Sequence, residues 1–138
     1  MALPKAPEAR LYYRAAWDRY DDAQLLLNAK RTTGAVYLAG YTVECLLKAL
    51  ILASVAPRLR RELFDEFHGS RAHNLEWLGS VYRRRAGGTI PQPGARHLSR
   101  VASWSTDLRY ATGTLTENEA GEFMDAVIAF ATRANGRM

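Results

Sequence analysis

Cysteine is almost absent from this 138-residue sequence, in which Cys45 is the only one. A single cysteine excludes an internal disulfide, and a chain of this length buries a core without one. Because Cys45 lies among leucines, we expect it to be a small buried apolar filler. No group of residues has the spacing of metal ligands and no glycine-rich loop resembles a phosphate cradle, so neither a metal nor a cofactor is expected.

Long uninterrupted apolar runs are also missing. The first residues, MALPKAPEAR, have no apolar core of a signal peptide, and the most apolar run, CLLKALILASVA, is short and carries Lys48. The balance of 48% apolar and 24% charged residues is typical of a globular chain. We therefore expect one domain over residues 1–138, in the cytoplasm and without a membrane segment.

Lysine is scarce, because all but Lys5, Lys30 and Lys48 of the 19 basic residues are arginine. With a net charge of +5, the chain favours acidic partners such as nucleic acid, since guanidinium groups suit phosphates. A GC-rich genome would produce the same arginine content. The densest basic stretch is the run 83–85, which consists of Arg83, Arg84 and Arg85.

Strand patterns are lacking as well, so the predicted fold is all-α. Helical spacing predicts a first helix from Pro7 to about Lys30 and a second, N-capped by Thr33, that reaches about Val55. Their short connection makes the two helices antiparallel.

Shorter helices are predicted after this pair, which makes an antiparallel bundle of four to five helices. One begins at Pro57 and stops near Gly69, one is capped by His73 or Asn74 and ends before Gly87, a brief one covers about 96–104, and the last runs from a capping box of Thr116 with Glu119 to about Asn135.

The second helix is predicted to be central because it is apolar on two sides. Its broad arc includes Leu47, for which we expect full burial, and the small Ala39 and Gly40, which admit a neighbouring helix. A remaining apolar surface predicts contact with a second copy, unless the segments after Pro57 and Pro93 cover it within one chain. This surface consists of Tyr37, Leu38, Tyr41, Cys45 and Leu52.

One narrow polar strip, made of Tyr37, Tyr41, Glu44 and Lys48, interrupts that apolar helix. Glu44 precedes Lys48 by four residues, the favourable order for a helical ion pair. One interpretation places both at the edge of a groove, with the lysine head in water. The other has the strip line a cleft or a subunit contact, where a nucleotide or another small molecule would bind.

Three segments together resemble the HEPN domains of bacteria: VYLAGYTVECLLKALI, then AHNLEWL, then WSTDLRY ahead of the last helix. The matching residues are Glu44, Lys48, His73, Arg109 and Tyr110. The resemblance covers most of the chain and implies an antiparallel bundle of four or five helices that commonly dimerises. Many HEPN members are metal-independent ribonucleases, often toxins held in check by a partner nucleotidyltransferase.

The catalytic Arg-x4-6-His motif of those enzymes is missing from its expected place, since no histidine follows Arg109. Arg61 and His68 have a permitted spacing, but Glu62 beside them would repel a phosphate. His73 is expected to cap a helix or to bind a backbone group. A phosphate could also meet His97 with its neighbours Arg96 and Arg100, across the loop from the run 83–85.

The predicted function is therefore that of a non-catalytic, homodimeric HEPN-like module that binds a protein or nucleic acid. Two alternatives stay open. One is a ribonuclease with a displaced Arg/His site, and the other is a nucleotide or small-molecule binder.

Overall fold

The computed structural model describes residues 3–85, 104, 107–108 and 115–138. These residues form a bundle of five α-helices and one short 3-10 turn, and no strand is found among them. The prediction of an all-α bundle is thus confirmed. The helices are α1 (Pro7–Asn28), α2 (Thr32–Ser54), α3 (Pro57–Glu66), α4 (Leu75–Arg85) and α5 (Glu117–Asn135), with the 3-10 turn at Ser70–His73.

The connection between α1 and α2 is tighter than predicted. Lys30 takes a left-handed conformation (φ 63°), and the Arg31 N–H donates to the Leu26 carbonyl at 2.8 Å, which ends α1 at Asn28. Helix α2 begins at Thr32 after an Arg31 cap without a side-chain bond, so the prediction of Thr33 as N-cap is wrong. The reversal depends on backbone conformation at Lys30, a position where glycine is usual.

Helix α2 is the centre of the bundle, as its two-sided apolar pattern predicts. It packs against α1, α4 and α5, and the Thr42 hydroxyl donates to the Ala16 carbonyl at 3.0 Å inside the α1 contact. Leu47 is 0% exposed, which confirms its predicted burial. Cys45 and Leu52 are buried within the same chain, so they are not available to a second copy.

By length and composition alone, α2 is long and apolar enough to cross a membrane. The expectation of no such segment considered only the shorter run around Lys48. However, 83% of its apolar 18-residue stretch is buried inside the fold, as in the core helix of a bundle. The cellular location therefore stays a prediction.

The segment from α3 to α4 turns back onto α2. Helix α3 ends at Glu66 and is followed by Phe67, slightly before the predicted stop near Gly69. Asn74 then caps α4, because its side-chain oxygen accepts the Trp77 N–H at 2.8 Å. Of the two predicted caps Asn74 is confirmed, and the His73 side chain does not cap α4.

Helix α5 closes the core from the other side. Its predicted N-cap is confirmed, since the Thr116 hydroxyl oxygen accepts the Glu119 N–H at 3.1 Å. Phe130 and Val127 are fully buried against the other helices. The brief helix predicted over about 96–104 lies outside the described residues, apart from Trp104.

Trp104 fills the place that small residues leave on α2. Its indole is 4% exposed, and its Nε1–H donates to the Tyr37 carbonyl at 3.0 Å. A Cβ on Gly40 would overlap this ring. The predicted close approach at Gly40 is therefore made by the indole of Trp104.

Candidate functional site

The Glu44 and Lys48 pair lies inside the protein. The Lys48 Nζ is 2.9 Å from Glu44 Oε2, and both side chains are only 4% exposed. The interpretation that the lysine head reaches water is wrong. Other elements cover it, since Nζ lies 5.2 Å from the ring centroid of Tyr12 on α1 and 5.7 Å from that of Phe67 after α3.

The second carboxylate oxygen of Glu44 faces His73. The His73 Nδ1 lies 3.0 Å from Glu44 Oε1, while the imidazole remains 47% exposed. The prediction that His73 caps α4 or binds a backbone group is therefore wrong. The 3-10 turn brings its ring over α2, where the carboxylate is the stronger acceptor.

This contact determines where the imidazole carries its hydrogen. Glu44 is paired with the Lys48 ammonium in a buried place, so as a carboxylate it accepts hydrogen bonds and donates none. The His73 Nδ1 must therefore be the donor, and in the neutral ring Nε2 holds the free lone pair. Nε2 forms no hydrogen bond with any residue that the structure describes.

The two tyrosines of the polar strip complete the group around His73. Their hydroxyl oxygens are 3.1 Å apart, and the Tyr41 ring packs edge-on at 6.3 Å from His73 and 5.0 Å from Trp104. Both tyrosines are half-buried. A small-molecule ligand could thus reach His73 and the tyrosines, but not the charged groups of Glu44 and Lys48 directly.

Burial also suppresses ionisation around the pair. Burial raises the pKa of Tyr12 to about 12, and repulsion from Cys45 in its ionised form and from Glu44 adds to this. Burial and the Glu44 charge raise the pKa of the Cys45 thiol to about 12, although Lys48 and Arg19 act against this. Cys45 is therefore a protonated thiol in the core, and its predicted role as an apolar filler is confirmed.

The weak catalytic candidates, Arg61 and His68, are not joined by any bond. Both are exposed on or just after α3. The His68 Nδ1 lies 2.9 Å from the Phe64 carbonyl, and its ring packs against the Phe64 ring at 5.3 Å. The His68 side chain is therefore bound to the end of its own helix.

The run 83–85 belongs to a larger basic surface. Its three arginines are exposed at the end of α4, and the Arg137 Nη1 donates to the Tyr82 hydroxyl at 3.2 Å, which places the end of α5 beside them. Arg133 is exposed one turn before Arg137. We call this group the arginine cluster: Arg83, Arg84, Arg85, Arg133 and Arg137.

Sequence reasoning missed the contribution of α5 to this cluster, because Tyr82 and Arg137 are 55 residues apart in the chain. One signal was present: neither 77–85 nor 126–138 contains an Asp or Glu. Neither of these two segments therefore contributes an acidic side chain of its own.

The remaining predicted residues lie outside the described part of the chain: Arg96, His97, Arg100, Arg109 and Tyr110. Their roles stay predictions. Among the described residues, no group of three or more His, Cys, Asp or Glu side chains is arranged to hold a metal ion.

Comparison with known proteins adds no family assignment to this geometry: no family model, no curated protein and no solved structure matches the chain.

Proposed function

We propose that this chain is a HEPN-like helical module that binds a nucleic acid through the arginine cluster. The observation that carries the proposal is the bond from Arg137 to Tyr82, which brings the residues after α5 to α4, together with five arginines and no Asp or Glu in 77–85 and 126–138. A phosphate backbone neutralises such a surface and releases bound counterions.

Helix stability alone does not account for the cluster. Cations in the last turn of a helix gain about 0.3 to 1 kcal/mol each, and Arg83, Arg84, Arg85 and Arg133 all lie in such a turn. The dipole acts on each helix end separately, so it does not account for Arg137, which lies beyond the end of α5 at Asn135 and bonds to Tyr82 of α4. The exposed arginines of the run 83–85 repel one another as like charges, and an anionic partner would relieve that repulsion.

The HEPN-like part of the proposal is supported by the contacts of the matching residues. Glu44 and Lys48 from the first matching segment bind each other, and Glu44 also binds His73 from the second. An accidental resemblance of the sequence segments would not require residues from the two segments to be in contact. Under the proposal the module is a homodimer, with a nucleotidyltransferase as the partner that the resemblance implies.

The salt dependence of RNA binding tests the role of the cluster. Each phosphate contact to a single strand contributes a slope of about −0.7 in log K against log salt, so five contacts predict about −3.5. Replacing Arg83, Arg84 and Arg85 with Ser should make the slope shallower by about 2. The measurement is fluorescence anisotropy of a labelled single-stranded RNA.

A matched control removes the same charge elsewhere. Arg14, Arg58 and Arg61 are exposed on α1 and α3, and changing all three to Ser should leave the slope nearly unchanged. Salt-independent binding, no binding, or an equal effect of the control triple would contradict the proposal.

RNA integrity separates this function from the ribonuclease alternative. Purified protein incubated with RNA and EDTA should leave the RNA intact. Cleavage that is lost on changing Arg61 or His68 to Ala would instead support the displaced Arg/His site.

Light scattering tests the homodimer. At micromolar concentration the mass should be near twice 15.4 kDa. A mass that stays at 15.4 kDa on concentration would exclude it.

A further inference from the structure

The buried ion pair is not needed for binding at the arginine cluster. Helix α4 rises about 1.5 Å per residue, so its start beside His73 lies roughly 15 Å from Arg85 at its end. A buried ion pair is also poor evidence for a stability role, because removing two charges from water costs about as much as their attraction returns. The hydrogen bond between Glu44 and His73 indicates a different role for the pair.

We infer that His73 is an activated proton acceptor and nucleophile, held by Glu44 and Lys48 with its Nε2 lone pair available to a ligand that has a hydroxyl to donate. The geometry supplies each part. Lys48 pairs with Glu44 at 2.9 Å, Glu44 accepts the hydrogen bond of the Nδ1–H at 3.0 Å, and the Tyr41 ring packs nearly perpendicular to the imidazole.

The Glu44 carboxylate stabilises the imidazole of His73 when that ring becomes positively charged. As Nε2 takes a proton or forms a bond to carbon, positive charge spreads over the ring and the Nδ1–H bond to the carboxylate strengthens. The 3.0 Å contact lies in a water-poor place, since the Glu44 side chain is 4% exposed. The His73 side chain is 47% exposed, so the imidazole is accessible to a ligand.

Diethyl pyrocarbonate tests this reactivity without knowledge of the natural ligand. The imidazole nitrogen attacks one carbonyl carbon, ethyl carbonate leaves, and the ring keeps the ethoxycarbonyl group and loses a proton. Trypsin separates His73 from His68, because His68 lies in ELFDEFHGSR (62–71) and His73 in AHNLEWLGSVYR (72–83). Mass spectrometry of these peptides gives both rates in one native sample.

The comparison is made at about pH 8, above the ordinary titration range of histidine, so that the rates report nucleophilicity. We expect His73 to react about five times faster than His68, after each rate is divided by its rate in the urea-unfolded chain. This factor corresponds to about 1 kcal/mol, the difference between a charged and a neutral hydrogen bond. Equal or slower reaction of His73 would overturn the inference.

The double variant Glu44→Gln with Lys48→Met tests whether the charge of Glu44 activates His73. Glutamine keeps an acceptor for Nδ1, and removing both charges leaves neither of them buried alone. The His73 rate should fall to the level of His68, while His68 and the salt slope of RNA binding stay unchanged. An unchanged His73 rate would contradict the role of Glu44 independently of the nucleic-acid proposal.

Nitrogen NMR of the wild-type protein gives a readout that needs no variant. The neutral His73 ring should carry its hydrogen on Nδ1 and show a lone-pair signal at Nε2. A ring protonated on Nε2 would refute the inference, whatever the folding of the variants.

Discussion

Gly40→Ala tests the seating of Trp104 on the central helix. Gly40 is buried in α2, and a Cβ there would overlap the indole of Trp104. The indole must then leave its place, with the loss of the Nε1 bond to the Tyr37 carbonyl at 3.0 Å. The variant therefore changes one methyl group and disturbs one buried aromatic side chain.

Two effects of opposite sign decide the magnitude. Alanine favours the helix over glycine by about 1 kcal/mol. Against this, the lost hydrogen bond costs about 1 kcal/mol and forced repacking about 1 to 3 kcal/mol. We expect a net loss of about 1 to 3 kcal/mol in the free energy of unfolding.

A second glycine in a helix is the matched control. Gly121 lies in α5, and a Cβ there would meet nothing within 4 Å, so Gly121→Ala should stabilise by up to about 1 kcal/mol. Urea titration measures both variants, and near-ultraviolet circular dichroism reports the tryptophan environment. If Gly40→Ala proves as stable as Gly121→Ala, Trp104 does not occupy the surface of α2.

Three further predictions concern the core around α2. Leu47→Ala should cost about 2 to 5 kcal/mol in denaturant titration, and a loss below about 1 kcal/mol would place α2 at the periphery. Lys48→Met alone should cost about 3 to 5 kcal/mol, because it leaves Glu44 charged in the core, whereas adding Glu44→Gln should recover most of this loss. No recovery would contradict the pairing. Because the Cys45 pKa is about 12 in the fold against an ordinary 9.0, the unfolded chain loses its thiol proton first, so stability should fall as pH rises from about 9 toward 12. Cys45→Ala should make this decline shallower, and an unchanged pH profile would exclude the thiol as a cause.

Local features of the chain were readable from the sequence because their causes lie within a few residues. The central place of α2 follows from apolar residues on two sides of one helix, and Leu47 is buried as that pattern requires. Asn74 and Thr116 cap helices through bonds to residues three positions ahead. The exception is Thr33, where the left-handed backbone of Lys30 moved the helix start.

The tertiary structure alone decided what surrounds the polar strip and which charges meet. Glu44 and Lys48 have the same helical spacing whether they face water or the core, and the rings of Tyr12 and Phe67, from other elements, place them inside. The partner of His73 lies 29 residues away in the chain. The sequence determined these side chains and their periodicity, but burial depends on which distant segments pack above them, since only that packing excludes water.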